Sequence, residues 1–187
     1  MRLFRTIEAV AGGHYCVGDV ITFTLHNGEE VEALAVKQEQ DDTIFILVDC
    51  LRDEYFMNRT SSNRGGYKSC ALRKALNSKI YRLFPDEIRE KMVAFPTGDM
   101  QRLPTECEIF GCNTWGEDEP DDVKQWEPMK DRRSRIAFQG KNGGWEWYWL
   151  QNKAKGTAAS FALANDGGIT TCTNASNSGG VRPVFKI

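Results

Sequence analysis

The pattern of apolar and polar positions divides the chain into three stretches with different periods. From Asp19 to Leu25 the sequence Asp-Val-Ile-Thr-Phe-Thr-Leu alternates, as it does in a strand whose successive side chains point to opposite faces. His26-Asn27-Gly28 reads as a tight turn, because Asn-Gly tolerates the positive φ angles a hairpin needs, and Val31–Val36 returns from it. A polar loop over Gln38–Thr43 leads into Ile44-Phe-Ile-Leu-Val48, a continuous apolar run that predicts a strand buried on both faces. Residues 1–60 therefore predict an antiparallel meander, followed by a polar connector over Asn58–Tyr67.

The period then becomes helical. Leu72, Leu76, Ile80 and Leu83 fall four, four and three residues apart and line one stripe, with Ser69 placed to cap it. Pro85 suits the first turn of a second helix, where Asp86 and Glu87 meet the positive end of the helix dipole. Thr105 and Glu108 have capping-box spacing after Pro104, and Gly111 can stop that helix. The expectation is three short helices rather than a bundle. Residues 113–142 read as a surface insertion in which the acidic run Glu117–Asp122 and the basic run Lys130–Arg135 can pair across a loop.

The third stretch, 143–187, reads as an aromatic strand, a polar display segment and a closing strand. Trp145, Trp147 and Trp149 alternate and share one face if the strand is regular; Trp147 and Trp149 are expected inside and Tyr148 partly accessible. Gln151–Ser178 is rich in Asn, Ser, Thr and Gly, short polar groups that offer adaptable donors and acceptors at low ordering cost. Gly180-Val-Arg-Pro183 follows, with Arg182 expected to hold backbone carbonyls or a carboxylate near the strand.

Composition narrows the function. A chain of 187 residues with 41% hydrophobic residues can bury a single core, and a net charge of −2 argues against a nucleic-acid partner. There is no signal-peptide pattern and no stretch long and apolar enough to insert in a membrane, so a cytoplasmic or virion-associated location is expected. Six scattered cysteines, none in CxxC, read as reduced and mostly buried thiols, and no cofactor or structural metal is expected. The acidic run invites calcium by its hard oxygen ligands, but it lacks the ordered spacing of an EF-hand. His14 and His26, the only candidates for a general base, read as exposed turn residues, and the glycine doublets Gly12-Gly13, Gly65-Gly66, Gly143-Gly144, Gly167-Gly168 and Gly179-Gly180 as turns without phosphate-loop context.

Four segments carry a resemblance: Ser69-Cys-Ala-Leu-Arg-Lys-Ala-Leu-Asn77, Pro104-Thr-Glu-Cys-Glu-Ile-Phe-Gly111, Tyr148-Trp-Leu-Gln-Asn152 and Gly180-Val-Arg-Pro183. In this order they resemble a bacterial and phage domain-of-unknown-function family whose third segment reads Trp-Trp-Leu-Arg-Ser; here Gln151 and Asn152 stand in place of Arg-Ser. That family is similar in pattern to the C-type-lectin-like fold of formylglycine-generating (sulfatase-modifying) domains and of the variable proteins of diversity-generating retroelements. The resemblance implies one α+β domain over 1–187, with antiparallel strands, short helices, terminal strands that meet, and the ligand site on a long irregular C-terminal region. The expected function is a non-catalytic module for a protein or glycan ligand, with Tyr148, Gln151, Asn152, Lys153, Lys155, Asn165, Thr173, Asn174, Ser176 and Asn177 as the displayed residues. Two alternatives stay open: a structural virion or assembly component, and a formylglycine-generating-type enzyme whose copper would need a cysteine pair, for which Cys107 and Cys112 are nearest in sequence.

Overall fold

The computed structural model describes residues 5–6, 15–120 and 122–187, so the readings made on His14 and Gly12-Gly13 lie outside the described residues. Strands β1 (Arg5–Thr6), β2 (Asp19–Thr24), β3 (Glu30–Glu39) and β4 (Asp42–Leu47) come first in the chain. Helices α1 (Gly66–Ser69), α2 (Ala71–Ala75) and α3 (Asp86–Arg89) follow, with a widened turn over Leu76–Ile80 continuing α2. After β5 (Gln101–Arg102) come α4 (Glu106–Phe110) and α5 (Arg132–Arg135). The chain closes with β6 (Ala137–Phe138), β7 (Trp145–Glu146), β8 (Tyr148–Lys153), β9 (Ser160–Ala164), β10 (Thr170–Asn174) and β11 (Val184–Lys186). No helix of the described residues is long and apolar enough to cross a membrane.

The result is a mixed α+β fold with largely antiparallel sheets. A six-stranded sheet has the order β1-β2-β3-β4-β11-β5; a three-stranded sheet runs β10-β9-β8, and β6 pairs with β7. Only β1 runs parallel to its neighbour β2 within the named strands, and β11 sits between β4 and β5, so the last strand is locked inside the sheet that the first ones build. The apolar run of β4 is buried on both faces as its composition predicts: Phe45 and Leu47 enter one core with Phe185, Phe84 and Leu76, while Ile44 and Ile46 enter a second with Val184, Trp126 and Met129. β8 and β9 divide in the same way. Trp149, Phe161 and Leu163 join the first core, and Tyr148, Leu150, Ala162 and Ala164 the second.

Local signals explain most element ends. Leu72, Leu76 and Ile80 are buried along one stripe, while Leu83 is half-buried. The cap of α2 is Cys70 rather than Ser69: the Cys70 sulfur accepts from the Arg73 N–H at 3.3 Å, and Ser69 ends α1 instead. Thr105 and Glu108 form the expected capping box, closed by Gly111 in the left-handed conformation. The expected polar loop Gln38–Thr43 is much shorter, since β3 runs to Glu39 and β4 starts at Asp42; Gln40, at φ 53°, makes the tight reversal.

Residues 113–142 lie mostly exposed or half-exposed, and Trp126, Met129 and Ala137 anchor them in the second core. One larger expectation is corrected. The long irregular C-terminal region is instead the β8-β9-β10 meander followed by β11, because Phe161, Ala162, Leu163 and Ala164 give a buried strand that two half-polar neighbours can pair with.

Candidate functional site

The four resemblance segments meet around β8, and most of their side chains are bonded into the scaffold. Asn77 donates to the carbonyls of Arg73 and Gln101 and accepts from the N–H groups of Met100 and Gln101, which clamps β5 beside the α2 helix. Glu106, fully buried, accepts from the Trp115 and Gly116 N–H groups at 3.1 and 2.7 Å and from the Thr170 hydroxyl. Glu108 completes the cap and takes both arms of Arg102 at 2.7 and 2.6 Å. Arg182, fully buried, donates to the carbonyls of Leu47 and Ser134 and lies 4.7 Å above the Tyr148 ring, as a cation over an aromatic face. These groups hold backbone together and leave little for chemistry.

The tryptophans do not form one face. β7 ends at Glu146 and β8 begins at Tyr148, so the strand breaks at Trp147 and the alternation is lost. Trp145 is 67% exposed and packs edge-on to Phe138, whereas Trp149 is buried, donates its indole N–H to the Tyr55 carbonyl at 2.8 Å and meets Trp147 edge-on. Gly179 and Gly180 are needed beside them for close approach rather than as a turn. A Cβ on Gly179 would collide with the Trp147 ring, and one on Gly180 would come within 2.6 Å of the Trp147 carbonyl.

The ten residues expected on display do not share one fate. Tyr148 and Asn152 are corrections. Tyr148 is wholly buried because β8 has a core on each face, and Asn152 is buried because its side-chain oxygen accepts from the Glu106 N–H at 2.7 Å while its amide nitrogen reaches the Glu117 carbonyl. Lys153 and Lys155 pair with Glu117 and Asp118 at 3.0 and 2.6 Å, so part of the acidic run is answered by these two lysines. Asn165 shapes the β9–β10 turn by accepting from the Gly167 and Ile169 N–H groups.

Thr173, Asn174, Ser176 and Asn177 form a continuous polar rim. Asn174 donates to the Ser61 hydroxyl and accepts from the Ser176 N–H and hydroxyl, and Asn177 donates to Thr173 at 2.7 Å. Ser176 and Asn177 are exposed; Thr173 and Asn174 are half-exposed on β10, an edge strand. The connector beneath is pinned, since buried Asn63 donates to the carbonyls of Thr157 and Ser160 at 2.8 and 2.9 Å. The rim is thus uncharged, rich in hydroxyl and amide groups, and rigidly backed.

Gln151 belongs to a different feature, a cleft of about 450 Å3 also lined by Tyr67, Lys68, Arg73, Thr97, Asp99 and Arg102. No sequence pattern joins these residues, because they come from three separate segments, brought together in part by the Asn77 clamp and β5. All six cysteines are free thiols; Cys50, Cys70 and Cys107 are buried, Cys172 is intermediate, and Cys16 and Cys112 are exposed. Burial pushes the Cys70 thiol up to about 11, and that of Cys50 also upward. Among the described residues no group of three or more His, Cys, Asp or Glu side chains is placed to hold a metal ion.

A family model described as domain of unknown function (DUF6273) matches residues 41–187, from the turn before β4 to the end of the chain. No curated protein and no solved structure matches the chain.

Proposed function

We propose that this chain, which belongs to the family described as domain of unknown function (DUF6273), is a non-catalytic module that binds a protein or glycan ligand. The observation that carries the reading is the division of labour in the polar residues. Those of the four segments around β8, Asn77, Glu106, Glu108, Asn152 and Arg182, are consumed by the fold, whereas Thr173, Asn174, Ser176 and Asn177 bond mainly to one another and to Ser61 at the surface. Short amide and hydroxyl groups fixed on a rigid strand lose little entropy on binding and offer both donors and acceptors. We assign the fold to the C-type-lectin-like class on its α+β build and on the insertion of the final strand beside the early ones. A rim whose side chains can change without disturbing either core also suits a variable protein of a diversity-generating retroelement, including one carried by a phage.

The test is a glycan- and protein-array screen of the chain beside Asn174→Ala/Asn177→Ala. The expected outcome is a hit on the parent that falls at least about tenfold in affinity, or about 1.4 kcal/mol, in the double variant. A hit of unchanged affinity in the variant would place the ligand elsewhere.

A further inference from the structure

The cleft beside β5 is separate from the rim and has its own chemistry. Two of its cations are already answered within the fold. The Arg73 Nε contacts both oxygens of Asp99 at 3.0 and 2.9 Å, with Nη1 on the Lys68 carbonyl, and Arg102 is forked onto Glu108. Lys68 is not: its side chain is exposed at the cleft and makes no ion pair among the described residues. Its charge is therefore the one left for an anion.

The interior supplies directional groups. The Tyr67 hydroxyl accepts the Leu103 N–H at 3.0 Å, which leaves its own O–H to donate, and burial raises its pKa so that the proton stays on at neutral pH. Gln151 is anchored by its amide nitrogen on the Leu103 carbonyl at 2.6 Å, with its oxygen as a fixed acceptor. The Tyr67 ring and the methylene stems of the lysine and arginines supply the apolar part of the wall, while Thr97 and the Asp99 carboxylate, the latter neutralised by Arg73, complete the lining. A volume of about 450 Å3 suits a small molecule.

We propose that this cleft binds a small organic anion, a carboxylate or phosphate head on an apolar body about the size of a benzene ring. The head lies against Lys68 and accepts from the Tyr67 hydroxyl, while the body rests on the Tyr67 ring and the arginine stems. The site is independent of the rim, so array binding and cleft binding can each fail without the other.

The experiment is a titration of the full chain by amide-resolved NMR at low salt with benzoate, phenyl phosphate and benzyl alcohol, repeated on Lys68→Met, which keeps the stem and removes the charge. At least one anion is expected to shift the amides of Tyr67, Thr97 and Gln151 to saturation, and its preference over the other identifies the head group. Binding should be at least about tenfold tighter than for benzyl alcohol, fall about tenfold in Lys68→Met, and weaken with added salt. The proposal is overturned if neither anion moves these amides saturably by about 50 mM, a weak limit for ligands of this size. It is equally overturned if benzyl alcohol binds as well, or if Lys68→Met binds like the parent.

Discussion

Two glutamates on this chain show that neighbours, not residue type, decide what a carboxylate does. Glu106 lies in the core and is satisfied by two backbone N–H groups and a threonine hydroxyl, so its burial organises the 115–116 loop against β10. Glu146 is half-buried, and burial first, then the nearby Glu54, raises its carboxyl above the usual range. Between its unfolded and folded pKa values the folded state holds more protons, so this group's contribution to stability falls as pH rises through that window. Glu146→Gln should therefore stabilise the chain at pH 7 and change little below the ordinary carboxylate range, as read from urea midpoints at the two pH values. An equal effect at both would show that the change acts through packing. Neither role was legible from spacing alone, because the donors to Glu106 come from loops nine and ten residues on and from β10.

At the scale of elements, the local grammar was readable and the burial of β8 was not. The β2–β3 hairpin, the double-faced β4, the Leu72–Ile80 stripe and the Thr105–Glu108 cap all follow from periods and caps that act within a few residues. Alternation in Trp145–Trp149 suggested one buried face, but β8 runs between two cores and starts only after Trp147, which buries Tyr148 and exposes Trp145. That depends on β9 and on Gly180 from the far end of the chain, contacts no local pattern encodes. Trp149→Ala, which removes a buried indole and its bond to Tyr55, should cost roughly 3–5 kcal/mol in denaturant unfolding. A midpoint unchanged from the parent would contradict the position of β8 between the cores.

For the whole molecule, the candidate rim was partly legible and the cleft was not. Composition pointed to Thr173, Asn174, Ser176 and Asn177 as polar display residues, and they stand at the surface; the same composition cannot separate them from Asn152, whose amide is spent on Glu106. The cleft needs Tyr67, Arg73, Arg102 and Gln151 from distant segments and leaves no periodic trace. The central claim, that the chain divides into a structural set of polar residues and a displayed one, is tested most directly by thermal denaturation of Asn152→Ala beside Asn174→Ala/Asn177→Ala. The account predicts that Asn152→Ala lowers the midpoint by about 4–8 °C, as expected for roughly 2 kcal/mol lost at a buried amide in a domain of this size, while the double variant stays within about 2 °C of the parent. A larger drop in the double variant than in Asn152→Ala would contradict it.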